Sequence, residues 1–151
     1  MVGQTGISMK ILLAIDGSQF GEIATQAITS QFHPQDTDVL VLQVVEPLHL
    51  MTDAELLVPE LTARALEHAR YSTTTAVQKL QSAGFKAEPR VVENEVRSAI
   101  LDIAEHWHAD LIVLGSHGRT GIARFLLGSI AESVARHAHC SVYIARRASE
   151  L

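Results

Sequence analysis

The chain is poor in cysteine and in aromatic residues, and its apolar runs are short. Among its 151 residues there is one cysteine, Cys140, which excludes an internal disulfide framework and predicts a reducing, cytoplasmic compartment. The longest apolar runs have the length of strands, so we expect no membrane-spanning helix. At the N-terminus no basic segment precedes a long apolar stretch, and we therefore expect no signal peptide.

The remaining composition is that of one folded domain. Hydrophobic residues make up 47% of the chain and charged residues 19%, which favours a globular protein with a proper core. We predict a single domain over residues 9–147, a flexible extension over residues 1–8 and a tail over residues 148–151. The formal net charge of −5 argues against a nucleic-acid surface.

Five strand-like segments alternate with four helical patterns. The strands are expected at 10–15, 38–45, 86–92, 111–114 and 141–145, and the helices near 20–28, 61–83, 96–108 and 130–139. Apolar strands that alternate with helices form a parallel sheet covered on both faces. Pro89 fits an edge position for the third strand, and Gly84 fits the end of the second helix.

The most informative segment is rich in glycine and lies between the fourth strand and the last helix. It reads Gly115-Ser116-His117-Gly118-Arg119-Thr120-Gly121 and continues to Gly128-Ser129-Ile130. Glycines let backbone N–H groups approach an anion closely, and a helix N-terminus adds unpaired N–H donors. Residues 115–147 hold five arginines and one acid, which in an acidic chain indicates a local anion site.

The spacing of these glycines differs from two common nucleotide-binding motifs. The segment contains neither the P-loop pattern nor the Gly-x-Gly-x-x-Gly fingerprint, so a loop that only forms a tight turn is an open alternative. The first strand also ends in a polar turn, Asp16-Gly17-Ser18. Ligands of parallel sheets bind at the carboxyl ends of the strands, and we therefore predict that these two strand ends form one site.

Together these residues resemble the universal stress protein family over residues 9–147. The resemblance rests on the opening Ile-Leu-Leu-Ala-Ile-Asp-Gly-Ser at residues 11–18 and on a closing block of some thirty residues. In that block the spacing Gly-x2-Gly-x9-Gly-Ser is similar to the branch of the family that binds ATP. The resemblance implies a flavodoxin-like, Rossmann-like sheet of order 3-2-1-4-5 and a homodimer formed through residues 141–145.

The resemblance also implies a bound ATP or another adenine nucleotide, with Mg²⁺ or Mn²⁺. Ala14 and Val44 would contact adenine, and Asp16 would lie near the ribose or a phosphate-bound metal. The phosphate and ribose loop would be formed by Gly115, Ser116, His117, Gly118, Arg119, Thr120 and Gly121, with a positive φ expected at Gly118. Gly128, Ser129 and Ile130 would then meet the phosphates at the N-terminus of the last helix.

Two segments depart from the family pattern. Where relatives often carry a Gly-x-Pro-like turn after the third strand, this chain reads Glu93-Asn94-Glu95-Val96, which affects one wall of the pocket. Before the last strand, the common His-Ala-Pro-Cys-Pro is replaced by residues 137–141, His-Ala-His-Cys-Ser, which affects the edge expected to form the dimer.

Several candidate residues also have a purely structural interpretation. Ser129 and Glu132 match a capping box, and Asp16 could serve only as a turn former before Gly17. Histidines two apart on a helix, at 106/108 and 137/139, make poor chelates and argue against zinc. Cys140 is expected to be a small buried hydrophobic residue. A receiver domain would need more acids after the first strand than this chain has.

The sequence shows no nucleophile with an oriented base. We therefore predict a dimeric, nucleotide-binding regulator of the stress response, with at most slow ATP hydrolysis. The alternative is a nucleotide-free dimeric interaction module of the same fold. Neither a nucleic-acid partner nor a membrane partner is expected.

Overall fold

The computed structural model describes residues 6–49, 56–118 and 126–147. Strands and helices alternate along the chain as the apolar pattern predicts. The strands are β1 (Met9–Ile15), β2 (Thr37–Val45), β3 (Lys86–Glu93), β4 (Leu111–Gly115) and β5 (Ser141–Ala145). The helices are α1 (Gln19–Gln31), α2 (Val58–Ser82), α3 (Val96–His106) and α4 (Ser129–His137), with a short 3-10 turn at Pro34–Asp36.

All five strands form one parallel sheet of order β3-β2-β1-β4-β5, which confirms the expected fold class. β3, with Pro89, is one edge of the sheet, and β5 is the other. The register pairs Ala14 of β1 with Leu42 of β2 and Leu114 of β4. The carboxyl ends of the three central strands therefore meet along one rim of the sheet.

Each face of the sheet is covered by one pair of helices, which explains the unbroken apolar runs of the central strands. In β2, Val39 and Val41 belong to the cluster that includes Leu80 of α2. Leu40 and Leu42 belong to the opposite cluster, with residues of α3 and α4. Because successive side chains of a strand point to opposite faces, a strand buried on both sides must be apolar at nearly every position.

The helix ends differ from the sequence pattern by a few residues. α2 ends at Ser82, one residue before the predicted end, and Gly84 then adopts a φ of 91° and donates its N–H to the carbonyl of Gln81. α3 ends at His106, two residues before the expected end, because His108 takes a φ of 57° and closes the last turn. α4 ends at His137 because Ala138 is extended. Among the described helices, none combines the length and the apolar character needed to cross a bilayer.

The isolated cysteine and the histidine pairs take local structural positions. Cys140 is half-buried against the α3–α4 cluster, and burial raises the pKa of its thiol. The Nδ1 atoms of His106 and His137 lie 2.7 and 2.8 Å from the carbonyl oxygens four residues earlier in their own helices. Within the described ranges no three His, Cys, Asp or Glu side chains come together as a metal site.

Candidate functional site

The turn after β1 is organised by the side chain of Asp16. Its Oδ1 accepts a hydrogen bond from the Ser18 N–H at 2.9 Å, and Gly17 takes a φ of 81°. Ser18 then caps α1 by accepting a hydrogen bond from the Phe20 N–H at 3.3 Å. Asp16 is thus a turn former, and the same turn holds its half-buried carboxylate at the rim of the sheet.

Glycine is required at the end of β4 by the close approach of α1. A Cβ built on Gly115 would lie 2.6 Å from the Cβ of Phe20 and 2.9 Å from its carbonyl oxygen. Gly21, the residue after Phe20, faces β1 in the same way, since its Cβ would lie 3.1 Å from the Cβ of Ile15. The first turn of α1 therefore rests directly on the ends of β1 and β4.

The segment after β4 is fixed by hydrogen bonds at both of its described ends. Ser116 is buried, and its N–H donates to the carbonyl of Ala145 at 3.2 Å. The Ser116 carbonyl in turn accepts from the Gly128 N–H at 2.8 Å. A Cβ on Gly128 would lie 3.1 Å from the Cα of His117, so glycine is needed here as well. Gly128 consequently lies directly against Ser116 and His117.

His117 joins the same two ends through both nitrogens of its ring. Nδ1 lies 3.0 Å from the Ser116 hydroxyl, and Nε2 contacts the carbonyl oxygen of Leu126. A carbonyl can only accept, so Nε2 carries a proton, and in the neutral ring Nδ1 accepts from the Ser116 hydroxyl. The ring also lies 5.5 Å from that of Phe20. His117 therefore links Ser116 to Leu126 with both of its ring nitrogens engaged.

Gly118 does not have the positive φ that we expected from its place in the loop; in the described ranges only Gly17 and Gly84 are glycines of that kind. Among the described residues, a Cβ on Gly118 would come near one atom, the Asp16 Oδ2 at 3.3 Å. Gly118 is exposed. The backbone at Gly118 is therefore not in a conformation that requires glycine.

The capping box expected at Ser129 is wrong. The N-cap of α4 is Gly128, which takes the extended conformation and accepts the Glu132 N–H at 2.9 Å through its carbonyl. Ser129 is the first helical residue and its hydroxyl makes no cap hydrogen bond, while Glu132 pairs with Arg136 at 2.9 Å. The Gly128 N–H is engaged by Ser116, so the N–H groups at this helix end are those of residues 129–131.

Residues 93–96, where the sequence departs from the family pattern, run from the end of β3 to the start of α3. The Asn94 N–H donates to the Val45 carbonyl at 3.0 Å, and α3 begins at Val96. Glu95 caps this helix, because its carboxylate accepts from the Ser98 N–H at 2.8 Å and the Arg97 N–H at 3.1 Å. The bond from Ser98, followed by that from Arg97, lowers the pKa of Glu95 to about 2. A charged cap thus replaces the turn seen in the family pattern.

These elements enclose a cleft of about 1440 Å³ along the carboxyl rim of the sheet. Most of the described candidate residues line it, and they are Ala14, Asp16, Val44, Gly115, His117, Gly118, Gly128, Ser129 and Ile130. Ser116 does not line the cleft, because it is buried beneath the turn. Arg119, Thr120 and Gly121 lie outside the described residues.

The cleft also contains residues that the sequence analysis missed. Val96 and Ile100 of α3 contribute apolar wall, and Thr62, Ala65 and His68 of α2 line the opposite side. Their helical spacing could have predicted that they share one face of their helix, but not that this face lies at the rim of the sheet.

Gln43 of β2 is a second omission. It lines the cleft, is only 2% exposed, and its Oε1 has no hydrogen-bond partner among the described residues. An unpaired buried amide group costs about 1–3 kcal/mol. The sequence did mark this residue, because Gln43 is the single polar residue in the apolar run 39–45 of β2.

The fold is that of an α/β protein whose cleft lies at the switch point of a parallel sheet, where such folds bind ligands. The family model of the universal stress protein family matches residues 8–146, and the chain belongs to this family. The universal stress protein MJ0531 of Methanocaldococcus jannaschii is 32% identical over 142 residues, which cover 91% of this chain and 82% of that protein.

Solved structures agree with this assignment. The structure of MJ0577, from the same archaeon, superposes with a TM-score of 0.82 at 28% identity and covers 95% of this chain and 99% of that one. A universal stress protein in complex with cAMP has a TM-score of 0.69 at 22% identity, over 94% of this chain and 99% of that one. More distant members of the fold were solved with AMP, from Arabidopsis thaliana, and with dAMP, from Archaeoglobus fulgidus.

The contact of Gly115 with α1 predicts a difference between two glycine substitutions. Gly115→Ala should lower the free energy of unfolding by about 1–3 kcal/mol, because the new Cβ meets backbone atoms of Phe20. Gly118→Ala is the matched control and should change it by less than about 0.5 kcal/mol, because the one described atom near its Cβ is an oxygen of the flexible Asp16 carboxylate. Urea unfolding followed by circular dichroism measures both. Equal losses for the two variants would contradict the proposed close contact.

The cap at Glu95 predicts a pH-dependent stabilisation of α3. Because the pKa falls from 4.5 to about 2 on folding, the contribution of Glu95 is complete above pH 4.5 and is lost as the pH falls toward 2. The carboxyl carbon of Glu95 should titrate near pH 2 by NMR, and Glu95→Gln should flatten the fall of stability over this interval. A titration midpoint near 4.5 would show that the carboxylate does not cap the helix.

Proposed function

We propose that this protein binds ATP or another adenine nucleotide in the cleft and acts as a cytoplasmic, dimeric regulator of the stress response. The observation that carries the proposal is the arrangement at the start of α4. There the N–H groups of residues 129–131 precede the first intrahelical hydrogen bond and line up beside Gly118 and Asp16 at the rim. Such a helix N-terminus favours the negative charge of a phosphate.

The base would occupy the apolar part of the cleft on the α3–α4 face of the sheet. Ala14 and Val44 are half-buried there and pack against the same cluster as Ile100. An adenine ring buries a flat apolar surface in such a place and keeps its edge near backbone polar groups. The complexes of other family members with cAMP, AMP and dAMP support an adenine nucleotide as the ligand class.

Asp16 would hold a phosphate-bound Mg²⁺ or Mn²⁺ rather than bind the nucleotide directly. A carboxylate beside phosphates is favourable only when a cation stands between them, and hard divalent cations prefer such oxygen ligands. Asp16 lies next to Gly118, at the carboxyl rim where the phosphates would lie. We include Arg119, Thr120 and Gly121 in this proposal on the family resemblance alone.

The described part of the site favours binding over catalysis. Both nitrogens of His117 are engaged, so this histidine cannot activate a water molecule without breaking the tie between Ser116 and Leu126. We therefore propose that hydrolysis, if it occurs, is slow, and that the protein acts through the state of its bound nucleotide. A nucleotide-free interaction module is the competing function.

Calorimetric titration with Mg·ATP tests the proposal. Gly118→Val should weaken binding by about 10- to 100-fold, because the branched side chain fills the space beside Asp16. Ser129→Ala should cost about 1 kcal/mol of binding without destabilising α4, since the cap is Gly128. Gly6→Val, the same exchange outside the cleft, is the control. If the wild-type protein binds no adenine nucleotide at millimolar concentration, the interaction-module function replaces this one.

The proposed dimer forms through β5, which is the open edge of the sheet next to β4. The Ala145 carbonyl faces β4, because it accepts the Ser116 N–H. Backbone groups alternate in direction along a strand, so Val142 and Ile144 present their N–H groups to the open edge. An uncovered edge of this kind pairs readily with another strand, and a two-fold partner would cover it with its own β5.

The direction of these N–H groups gives a selective test of the dimer. Val142→Pro removes an edge donor while sparing the bonds to β4, and it should convert the dimer to a monomer. Val142→Ala loses packing of the same side chain but keeps the N–H, and it should remain dimeric. Light scattering at micromolar concentration measures the mass of each. A wild-type monomer under these conditions would exclude the proposed assembly.

A further inference from the structure

Arg97, in the first turn of α3, is a cleft residue with no role so far in the binding of the nucleotide. Its side chain lines the cleft and is 54% exposed, so a ligand can reach it. A cation near the N-terminus of a helix is unfavourable, because the helix dipole places partial positive charge there. The stability of α3 alone therefore does not favour arginine at this position.

Glu95 holds the guanidinium of Arg97 in place. The carboxylate of Glu95 is itself fixed by the N–H groups of Arg97 and Ser98, at 3.1 and 2.8 Å. Its Oε1 also accepts a hydrogen bond from Arg97 Nε at 3.1 Å. Within the ranges that the structure describes, the two terminal nitrogens of the guanidinium make no hydrogen bond. The planar group is thus anchored at one nitrogen and has capacity left for a ligand.

Arg97 lies at the end of the cleft where the base would lie. Its neighbour Val96 packs in the same cluster as Ala14 and Val44, the residues that we propose contact the base. The segment before α3 is joined to the end of β2, because the Asn94 N–H donates to a carbonyl of that strand at 3.0 Å. The start of α3 is therefore fixed beside the apolar part of the cleft.

The same position is unsuited to the phosphates. The N–H groups that we propose bind them belong to the start of α4, which follows β4, whereas Arg97 follows β3. In the sheet, β3 and β4 are three strand spacings apart, which is about 14 Å. The negative charge of Glu95 would also repel a phosphate at this end. A flat, uncharged ring is the part of a nucleotide that an anchored guanidinium can bind here.

We propose that Arg97 binds the base of the nucleotide by stacking its guanidinium on the ring face that Ala14 and Val44 do not cover. This inference rests on the proposed function and adds a residue that determines how tightly the base is held. Arginine stacks on aromatic rings through its flat, delocalised cation, which the compact ammonium of lysine cannot reproduce. The Glu95–Arg97 pair would then take the place of the Gly-x-Pro-like turn in the family pattern.

Adenosine, which carries the base without phosphates, tests the contact directly. In NMR titrations of the full chain, the ring current of the bound base should shift the Arg97 Hε resonance upfield. Arg136, which forms a comparable pair with Glu132 outside the cleft, is the control, and its Hε resonance should not move. An Arg97 Hε resonance that stays in place at saturating adenosine would overturn the stacking.

Two substitutions at Arg97 separate stacking from charge. Arg97→Lys keeps the charge without the planar group, and Arg97→Ala removes both. Each variant should bind adenosine and Mg·ATP about three- to tenfold more weakly than the wild type, by the same factor for the two ligands. Arg136→Lys, the matched control, should bind both as the wild type does. If Arg97→Lys binds adenosine as tightly as the wild type, or loses affinity for Mg·ATP alone, Arg97 does not hold the base.

The outcomes separate this inference from the proposed function. A wild-type protein that binds neither Mg·ATP nor adenosine would overturn both. A wild-type protein that binds the two ligands, with affinities that do not change in Arg97→Ala, would overturn only the stacking. Because the side chain of Arg97 is half exposed, both variants should fold, and urea unfolding followed by circular dichroism should show midpoints close to that of the wild type.

Discussion

The contact between the first turn of α1 and Gly115 is the constraint on which the rest of the site depends. There is no room for a Cβ at Gly115, since it would lie 2.6 Å from the Cβ of Phe20. This approach brings the capped start of α1 and the Asp16 turn against the end of β4. It also brings the Phe20 ring to His117. Three segments from different parts of the chain thereby share one rim.

The candidate phosphate site is built mainly from backbone, which explains why its sequence signature is glycine rather than a cluster of charges. Gly128 lies against the Cα of His117 and donates its N–H to Ser116, so the start of α4 is fixed relative to β4. His117 adds a side-chain tie across the same two ends. Backbone donors held in this way need little reorganisation when an anion binds, because their positions are set by the fold.

The sequence predicted the local parts of the fold better than the contacts between distant segments. The apolar runs located all five strands, and Gly84 marked the end of α2 because a left-handed residue is needed there. The order of the strands came from the family resemblance and not from periodicity. The cap of α4 was placed one residue too late. Ser129 and Glu132 fit the local pattern of a capping box. The start of α4 is instead fixed by the bond from the Gly128 N–H to Ser116, which lies outside the helix and its flanking pattern.

Gln43 illustrates the same limit at the level of a single side chain. Its polarity was visible in the run of β2, but its importance depends on which face of the sheet it occupies, and only the register with Ile15 decides that. Because strand side chains alternate, one rim carries two chemically different surfaces. Ala14 and Val44 lie on one, and Ile15 and Gln43 on the other. The first turn of α1 contacts both β1 and β4 at this rim. The two sides of the rim therefore differ in chemistry while they share one structural support.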